Sequence, residues 1–228
     1  MMQKSAIVVH SGGMDSSICL ALAIREFGEA NVLSISFRYD QRHAIELERS
    51  AKICVDWNVD HIELDIPCLS QITQNALTDH QLTVDHQNTN QVPNTLVVGR
   101  NGLMARLAAI HADSLGAHCI YLGVIEVESA NSGYRDCSRE YMDLMQQILR
   151  LDLDSNTFEI RTPVVKMTKC ETLEVAYDMG MLAYLLENTV TCYEGIPHQG
   201  CGDCPACYLR NQGIDEFKAA HPDFKCSW

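Results

Sequence analysis

Basic residues are scarce. Lysine and arginine together number 17 against 30 aspartates and glutamates in 228 residues, so the formal net charge is −13. That balance argues against a nucleic-acid coat, which needs stripes of lysine and arginine along a phosphate backbone, but it leaves room for a local basic pocket. Long apolar runs are missing as well, so no membrane-spanning helix is expected. The start of the chain lacks a signal-peptide pattern, because its apolar run is short and ends in a polar loop; a cytoplasmic protein is expected. Without a secretion signal, an odd number of cysteines, 11 in all, argues against a disulfide framework. Neither an internal repeat nor a low-complexity tract is visible. The remainder is ordinary for a globular protein, with 46% hydrophobic and 21% charged residues. The length suits one domain, or one with an appendage, around a sizeable core.

Two familiar nucleotide-binding signatures are also absent. No lysine and serine or threonine pair follows a glycine loop, as a Walker A motif requires, and there is no G-x-G-x-x-G. In that place stands Ser11-Gly12-Gly13-Met14-Asp15-Ser16. Before it, Ala6-Ile7-Val8-Val9 reads as a short buried strand; after it, Ile18-Cys19-Leu20-Ala21-Leu22-Ala23-Ile24 reads as a buried helix. Two glycines let backbone approach a ligand closely. The first N–H groups of a helix have no partner of their own and carry positive partial charge. With the hydroxyls of Ser11, Ser16 and Ser17 these make an anion site suited to phosphate.

Further strands are expected over residues 32–37, 61–64, 119–124 and 158–160, each following a helix-like stretch. Ala44, Leu47, Ala51 and Cys54 lie at helical spacing with a charged outer face. Leu103, Leu107 and Ile110 mark another helix that Gly116 stops, and Tyr141, Leu144, Met145, Ile148 and Leu149 one more. Thr168-Lys169-Cys170-Glu171 is a capping box opening a helix that Gly180 ends, and Gly28 ends the first helix. Alternating strands and helices at this spacing imply a parallel α/β sheet with right-handed crossovers and ligands outside its C-terminal strand ends. The Ser11 loop, residues 38–43 and the polar stretch from Glu126 to Cys137 all lie at such ends. Residues 69–91 have no sustained period and read as a long loop or lid, with His80 and His86 as solvated loop histidines.

The last quarter holds a second signal. Cys192, Cys201, Cys204 and Cys207, spaced C-x8-C-x2-C-x2-C on turns with glycine and proline, supply four soft ligands for tetrahedral Zn2+. An iron–sulfur cluster can use similar spacing, so ligands alone leave the metal open. With all four positions filled by protein, a structural role is expected, and His198 is a spare. Cys19, Cys54, Cys119 and Cys170 sit among apolar residues and read as small buried hydrophobes, Cys68 and Cys226 as loop or tail residues.

Together the two signals carry a resemblance. The S-G-G-x-D-S loop is similar to that of the ATP pyrophosphatases. Nearly the whole chain resembles the 7-cyano-7-deazaguanine synthases among them: the loop, Gln41-Arg42-His43, Pro93-Asn94-Thr95, Gly99-Arg100-Asn101, Ser132-Gly133-Tyr134 with Asp136-Cys137, and Thr191-Cys192-Tyr193-Glu194-Gly195 leading into the remaining cysteines. The chain departs from the family pattern at Arg38, Asp40, Leu103, Arg135 and Ser138, near the base pocket that the resemblance implies; an aspartate in place of glycine at position 40 is tolerable because aspartate visits left-handed conformations.

The resemblance implies a Rossmann-like, adenine nucleotide alpha hydrolase-like domain over residues 1–187 and a zinc-binding C-terminal subdomain over 188–228. It implies an ATP-dependent ligase that adenylates 7-carboxy-7-deazaguanine, captures ammonia as the amide and dehydrates that to the nitrile. ATP is expected on His10, Ser11, Gly12, Gly13, Met14, Asp15, Ser16, Ser17, Ile18, Cys19 and Leu20. The deazapurine is expected on Gln41, Arg42, His43, Asn101, Tyr134 and Asp136. Asp15, or a remote carboxylate, would help hold Mg2+, and Arg100 or Lys169 would offset developing negative charge. A homodimer is expected, without nucleic acid or membrane as partner. Two rivals remain: a tRNA-modifying pyrophosphatase, against which the net charge weighs, and a non-catalytic zinc-stabilised nucleotide module, against which the intact loop weighs.

Overall fold

The computed structural model describes residues 3–40, 44–78, 81, 82, 84, 93–126 and 133–225. Five parallel strands form the sheet: β1 (Ala6–Val9), β2 (Val32–Arg38), β3 (Asp60–Asp65), β4 (Cys119–Leu122) and β5 (Glu159–Arg161), in the order β3-β2-β1-β4-β5. The chain steps outward from β1 to β3, then crosses back to place β4 on the other side of β1, with Ala6 opposite Cys119 and Val9 opposite Leu122. This reversal opens a crevice at the C-terminal ends of β1 and β4.

Helices α1 (Met14–Phe27), α2 (Ile45–Asp56), α3 (Cys68–Ile72), α4 (Arg100–Leu115), α5 (Arg139–Asp152), α6 (Lys169–Asp178), α7 (Leu182–Asn188) and α8 (Pro205–Ala220) surround the sheet. Strand alternation divides the core between its two faces. Ala6 and Val8 of β1 and Cys119 and Tyr121 of β4 pack with Ile18, Leu173, Leu185 and Phe217 from α1, α6, α7 and α8. Ile7, Ile120 and Leu122 pack the other way, with Ala105 and Ala108 of α4 and Met142 and Leu149 of α5. A small third cluster joins Ala76, Val84 and Val190 to the cysteines of the last quarter.

The expected strands are all present, with ends shifted by one or two residues. The capping box forms: Thr168 Oγ1 accepts from Glu171 N and Glu171 Oε2 from Thr168 N. Gly28 and Gly116 close α1 and α4, and Gly180 follows α6, all at positive φ. Cys19, Cys54 and Cys119 are buried, Cys170 is half-buried and Cys68 is exposed; Cys226, His80 and His86 lie outside the described residues.

Three helices are not anticipated. α3 lies in the stretch expected to be a loop, and α7 and α8 follow the last expected helix. α8 has Pro205 at its start and the Cys204 sulfur as its N-cap, accepting from Cys207 N. Its Ile214 and Phe217 enter the main core, each worth roughly 1.5–3 kcal/mol of burial. Among the described residues no helix is long and apolar enough to cross a membrane.

Candidate active site

The Ser11 loop joins β1 to α1 under tight constraint. Gly12 has φ +85°, and a Cβ there would stand 2.1 Å from the Glu46 carbonyl oxygen of α2. From β4, Gly123 presses on the other side, where a Cβ would fall 2.5 Å from Ser16 N. α1 starts after Gly13 with no side-chain cap, whereas Ser138 caps α5 and Thr168 caps α6. Its first N–H groups are therefore not satisfied by a capping side chain, as an anion site needs.

The loop hydroxyls divide differently from expectation. Ser16 and Ser17 both donate to the Gly13 carbonyl, at 3.0 and 2.8 Å. Ser17 is fully buried, turned from the anion site toward His10, while Ser11 Oγ is exposed and touches Ser16 Oγ at 3.1 Å. Because Ser17 gives its hydrogen to Gly13, the His10 Nε2–H must donate to Ser17 Oγ at 3.0 Å. His10 Nδ1 is then the acceptor, facing Ser34 Oγ at 3.1 Å and Cys54 Sγ at 3.7 Å, and Ser34 Oγ lies 3.0 Å from His61 Nδ1. His61 Nε2 is buried without a partner among the described residues. Burial, and the nearby His61, hold His10 down at about 3, so its ring is neutral.

Beyond the loop opens a cavity of about 260 Å³, lined by Ser11, Asp15 and Ser16 on one side and by Tyr39, Glu46, Arg100, Asn101, Tyr134 and Tyr193 on the other. Arg100 is the first residue of α4, where the helix's positive end disfavours a cation. Left-handed Gly99, φ +68°, precedes it. Its Nη1 donates to the Tyr39 hydroxyl at 3.0 Å, and its guanidinium carbon lies 5.6 Å from the Tyr39 ring centre. Asp136 compensates from behind: buried, it accepts from Asn101 N at 2.9 Å. Asn101 Nδ2 donates to Cys137 Sγ at 3.4 Å. The Tyr134 hydroxyl is fixed against Thr95 Oγ1 and hydrogen-bonded to Tyr193. Burial pushes the Glu46 carboxyl up to about 7, against the opposing pull of Arg100.

Lys169, at the start of α6, reaches the loop from the far side, its Nζ 2.6 Å from Asp15 Oδ2. Asp15 Oδ1 is buried with no hydrogen-bond partner among the described residues. A carboxylate oxygen stripped of water and left unpaired is costly unless a cation completes it, so it fits Mg2+. α8 fixes Lys169 from behind, since Gly213 lies where a Cβ would stand 2.5 Å from Lys169 Cβ.

The Sγ atoms of Cys192, Cys201, Cys204 and Cys207 lie within 4.8 Å of one another, a cluster able to hold a metal ion. Glu194 N, Cys204 N and Cys207 N donate to the sulfurs of Cys192, Cys201 and Cys204 at 3.3–3.4 Å, the bonds that steady thiolates. Gly200 leaves room, since a Cβ there would meet Cys207 Sγ at 2.3 Å. The cluster also ties the tail to the site: Val190 N donates to the Gly12 carbonyl at 3.2 Å, and Tyr193 lines the cavity.

Of the sequence candidates, Ser11, Asp15, Ser16, Arg100, Asn101 and Tyr134 meet around one cavity, with Lys169 behind Asp15 and Asp136 behind Asn101. Ile18, Cys19 and Leu20 place their side chains in the core. Gln41, Arg42 and His43 lie outside the described residues. The five departures do not line the cavity. Arg38 pairs with Glu63, Leu103 packs on the core, Arg135 starts a short 3-10 turn, and Ser138 caps α5 by accepting from Tyr141 N at 3.1 Å. Asp40 is left-handed at φ 58°, as the substitution for glycine requires. Tyr39, next to the departures at Arg38 and Asp40, and Tyr193, beside the first cysteine of the cluster, also line the cavity, which no sequence pattern signals. Glu46 was missed, because helical periodicity puts it on the charged outer face of α2.

Residues 5–218 match the family described as queuosine biosynthesis protein QueC. A relative named 7-cyano-7-deazaguanine synthase, from Clostridium botulinum, is 42% identical over 219 residues, covering 96% of this chain and 98% of its own. Among solved structures, the U34-tRNA thiolase NcsA of Methanococcus maripaludis with its 4Fe-4S cluster aligns at TM-score 0.51 and 12% identity, over 97% of this chain and 69% of that one. The likeness to the thiolase is one of fold.

Proposed function

Because the chain belongs to the queuosine biosynthesis protein QueC family, we propose that it makes 7-cyano-7-deazaguanine from 7-carboxy-7-deazaguanine, ammonia and ATP. The chain is an ATP-dependent ligase. The observation that carries the reading is the S-G-G-x-D-S loop, wedged between Glu46 and Gly123 so that the uncapped start of α1 lies beside a cavity lined by Asp15, Ser16, Arg100 and Asn101.

A carboxylate resists ammonia because its oxygen is a poor leaving group. Transfer of AMP from ATP onto that oxygen cures this, and ammonia then gives the amide. A second activation, at the amide oxygen, allows dehydration to the nitrile. The loop and the first N–H groups of α1 grip the outer phosphates. Asp15 Oδ1 is available to hold Mg2+, which would supply charge neutralisation between phosphates. Lys169 steadies Asp15, and Arg100 faces the charge that develops as pyrophosphate leaves. Asn101 and the Tyr134 face offer hydrogen bonds and stacking to the base, with Asp136 holding Asn101 in place and Gln41, Arg42 and His43 assigned to the same substrate.

The metal at the four cysteines is Zn2+ in this reading. Zinc bonds of about 2.3 Å at tetrahedral angles set sulfurs about 3.8 Å apart, and Cys201 and Cys207 Sγ lie 3.9 Å apart. A cubane with an iron at each ligand would hold its thiolates farther apart. Residues 188–228 form the zinc-clamped appendage of the nucleotide domain at 1–187. Exposed Leu144, Ile148 and Leu151 along α5, with Ile110 on α4, make an apolar stripe suited to a homodimer. A cytoplasmic location belongs to the same reading.

The test is a mass spectrum after incubation with 7-carboxy-7-deazaguanine, ATP, Mg2+ and ammonium. A nitrile product is expected, and none when a carboxylate without the guanine edge replaces the acid. Recovery of the acid unchanged, with ATP consumed on a tRNA instead, would overturn the assignment.

A further inference from the structure

Glu46 has no part in the reaction as written above, yet it stands on the cavity wall with Ser11, Asp15, Ser16 and Arg100. It is the second residue of α2, and its carbonyl is the surface against which Gly12 is pressed. Its place is therefore fixed relative to the phosphate loop.

The reaction needs a proton acceptor. Ammonium is protonated at neutral pH and has no lone pair to attack with, and all four of its hydrogens must leave on the way to a nitrile nitrogen. The other titratable groups on the described cavity wall are His10, Asp15, Tyr39, Arg100, Tyr134, Cys137 and Tyr193. Asp15 is bound to Lys169. The His10 ring is neutral and pinned between Ser17 and Ser34. Arg100 is a permanent cation. Burial raises Tyr39 and Tyr193, and pushes the Cys137 thiol up to about 12, so these keep their protons. Tyr134 holds its hydroxyl in a bond to Thr95.

We propose that Glu46 is the general base that takes protons from the incoming ammonia nitrogen, an assignment that rests on the reaction proposed above. The Glu46 carboxylate takes one proton from ammonium. The freed lone pair forms the nitrogen–carbon bond to the acyl carbon, the carbon–oxygen bond to AMP breaks, and AMP leaves with the electron pair. The first proton passes to water, and Glu46 takes a second from the new nitrogen to leave the neutral amide. Once the amide oxygen has displaced pyrophosphate from a second ATP, the last two N–H protons leave by the same route. The nitrile forms as AMP departs. A carboxyl held near neutrality suits a group that must both take and release protons.

The test uses the full chain with 7-carboxy-7-deazaguanine, ATP and Mg2+, and offers either ammonium or hydroxylamine, a nucleophile that is largely unprotonated at neutral pH. Glu46→Gln should lower amide and nitrile formation from ammonium by roughly 10² to 10⁴-fold at pH 7 while largely keeping hydroxamate formation. Part of the lost rate should return as rising pH supplies free ammonia. Equal losses with both nucleophiles, or no loss with ammonium, would overturn the proposal. If the wild-type chain forms no product with either nucleophile, the reaction itself is misassigned and the role of Glu46 falls with it.

Discussion

Lys169 Nζ and Asp15 Oδ2 are 2.6 Å apart although 154 residues separate them in the chain. The contact joins the start of α6 to the phosphate loop, and it leaves the other Asp15 oxygen unpaired among the described residues. Replacing Lys169 with methionine keeps the stem and removes the charge. Turnover should fall by about 10²-fold or more, as when a positioned electrostatic group is lost at a transition state. The pair is largely buried, with 13% and 22% of the two side chains exposed, so the variant leaves the Asp15 carboxylate without its cation and the unfolding temperature should fall as well. Initial rates and a thermal melt of the same sample read both, and normal turnover would remove Lys169 from the mechanism.

The four-cysteine cluster predicts a coupled loss. Cys204→Ser, or a strong chelator, should release one zinc per chain and lower the unfolding temperature, because metal binding is linked to ordering of the loop. ATP use should fall too, since Val190 and Tyr193 beside the cluster touch Gly12 and the cavity. Elemental analysis with a melt checks the first part, and finding iron would contradict it.

Gly12 meets two constraints at once, a φ of +85° and a neighbouring carbonyl 2.1 Å from any added Cβ. Gly12→Ala should cost about 1 kcal/mol for the backbone alone and more for the displaced loop. ATP affinity should drop well beyond what the melt suggests. Gly180, with nothing within 4 Å of an added Cβ, is the control for positive φ without crowding.

Buried His10 and half-buried Glu46 oppose each other in pH. His10 is lowered from 6.5 to about 3 in the folded chain, so its contribution is whole above pH 6.5 and is lost as pH falls toward 3. Glu46 is raised from 4.5 to about 7, so its contribution is whole below pH 4.5 and is lost as pH rises toward 7. Where those windows overlap, from pH 4.5 to 6.5, the two slopes, each about 1.4 kcal/mol per pH unit at most, cancel. Glu46→Gln should unmask His10: from pH 6.5 to 5 the variant should lose roughly 2 kcal/mol more than the wild type. Urea midpoints at both pH values measure it, and parallel curves would contradict it.

The sheet, the loop, the capping box at Thr168 and the cysteine cluster were legible because each is a local pattern: a short apolar run, a glycine turn, a three-residue spacing, thiols on tight turns. Glu46 was not, because amphipathic spacing says only that a charge faces away from the core, and here that face borders the cavity. The Lys169–Asp15 bond and the embrace of Lys169 by Gly213 were hidden for another reason: they depend on which elements the topology brings together. The hydroxyl of Ser17 was expected at the phosphates because a serine in a glycine loop looks like a donor, but the sequence does not say which way a side chain turns.

A peptide carbonyl can only accept. The contacts from His10 through Ser17 end on the Gly13 carbonyl, so that single oxygen dictates the sense of the hydrogens at Ser17 and at His10 Nε2. The tautomer of His10 is thereby written by the loop. A proton added at His10 Nδ1 removes the acceptor that Ser34 Oγ and Cys54 Sγ face, and breaks the row. The bonds that back the phosphate loop therefore hold until acid forces His10 itself to ionise, toward pH 3.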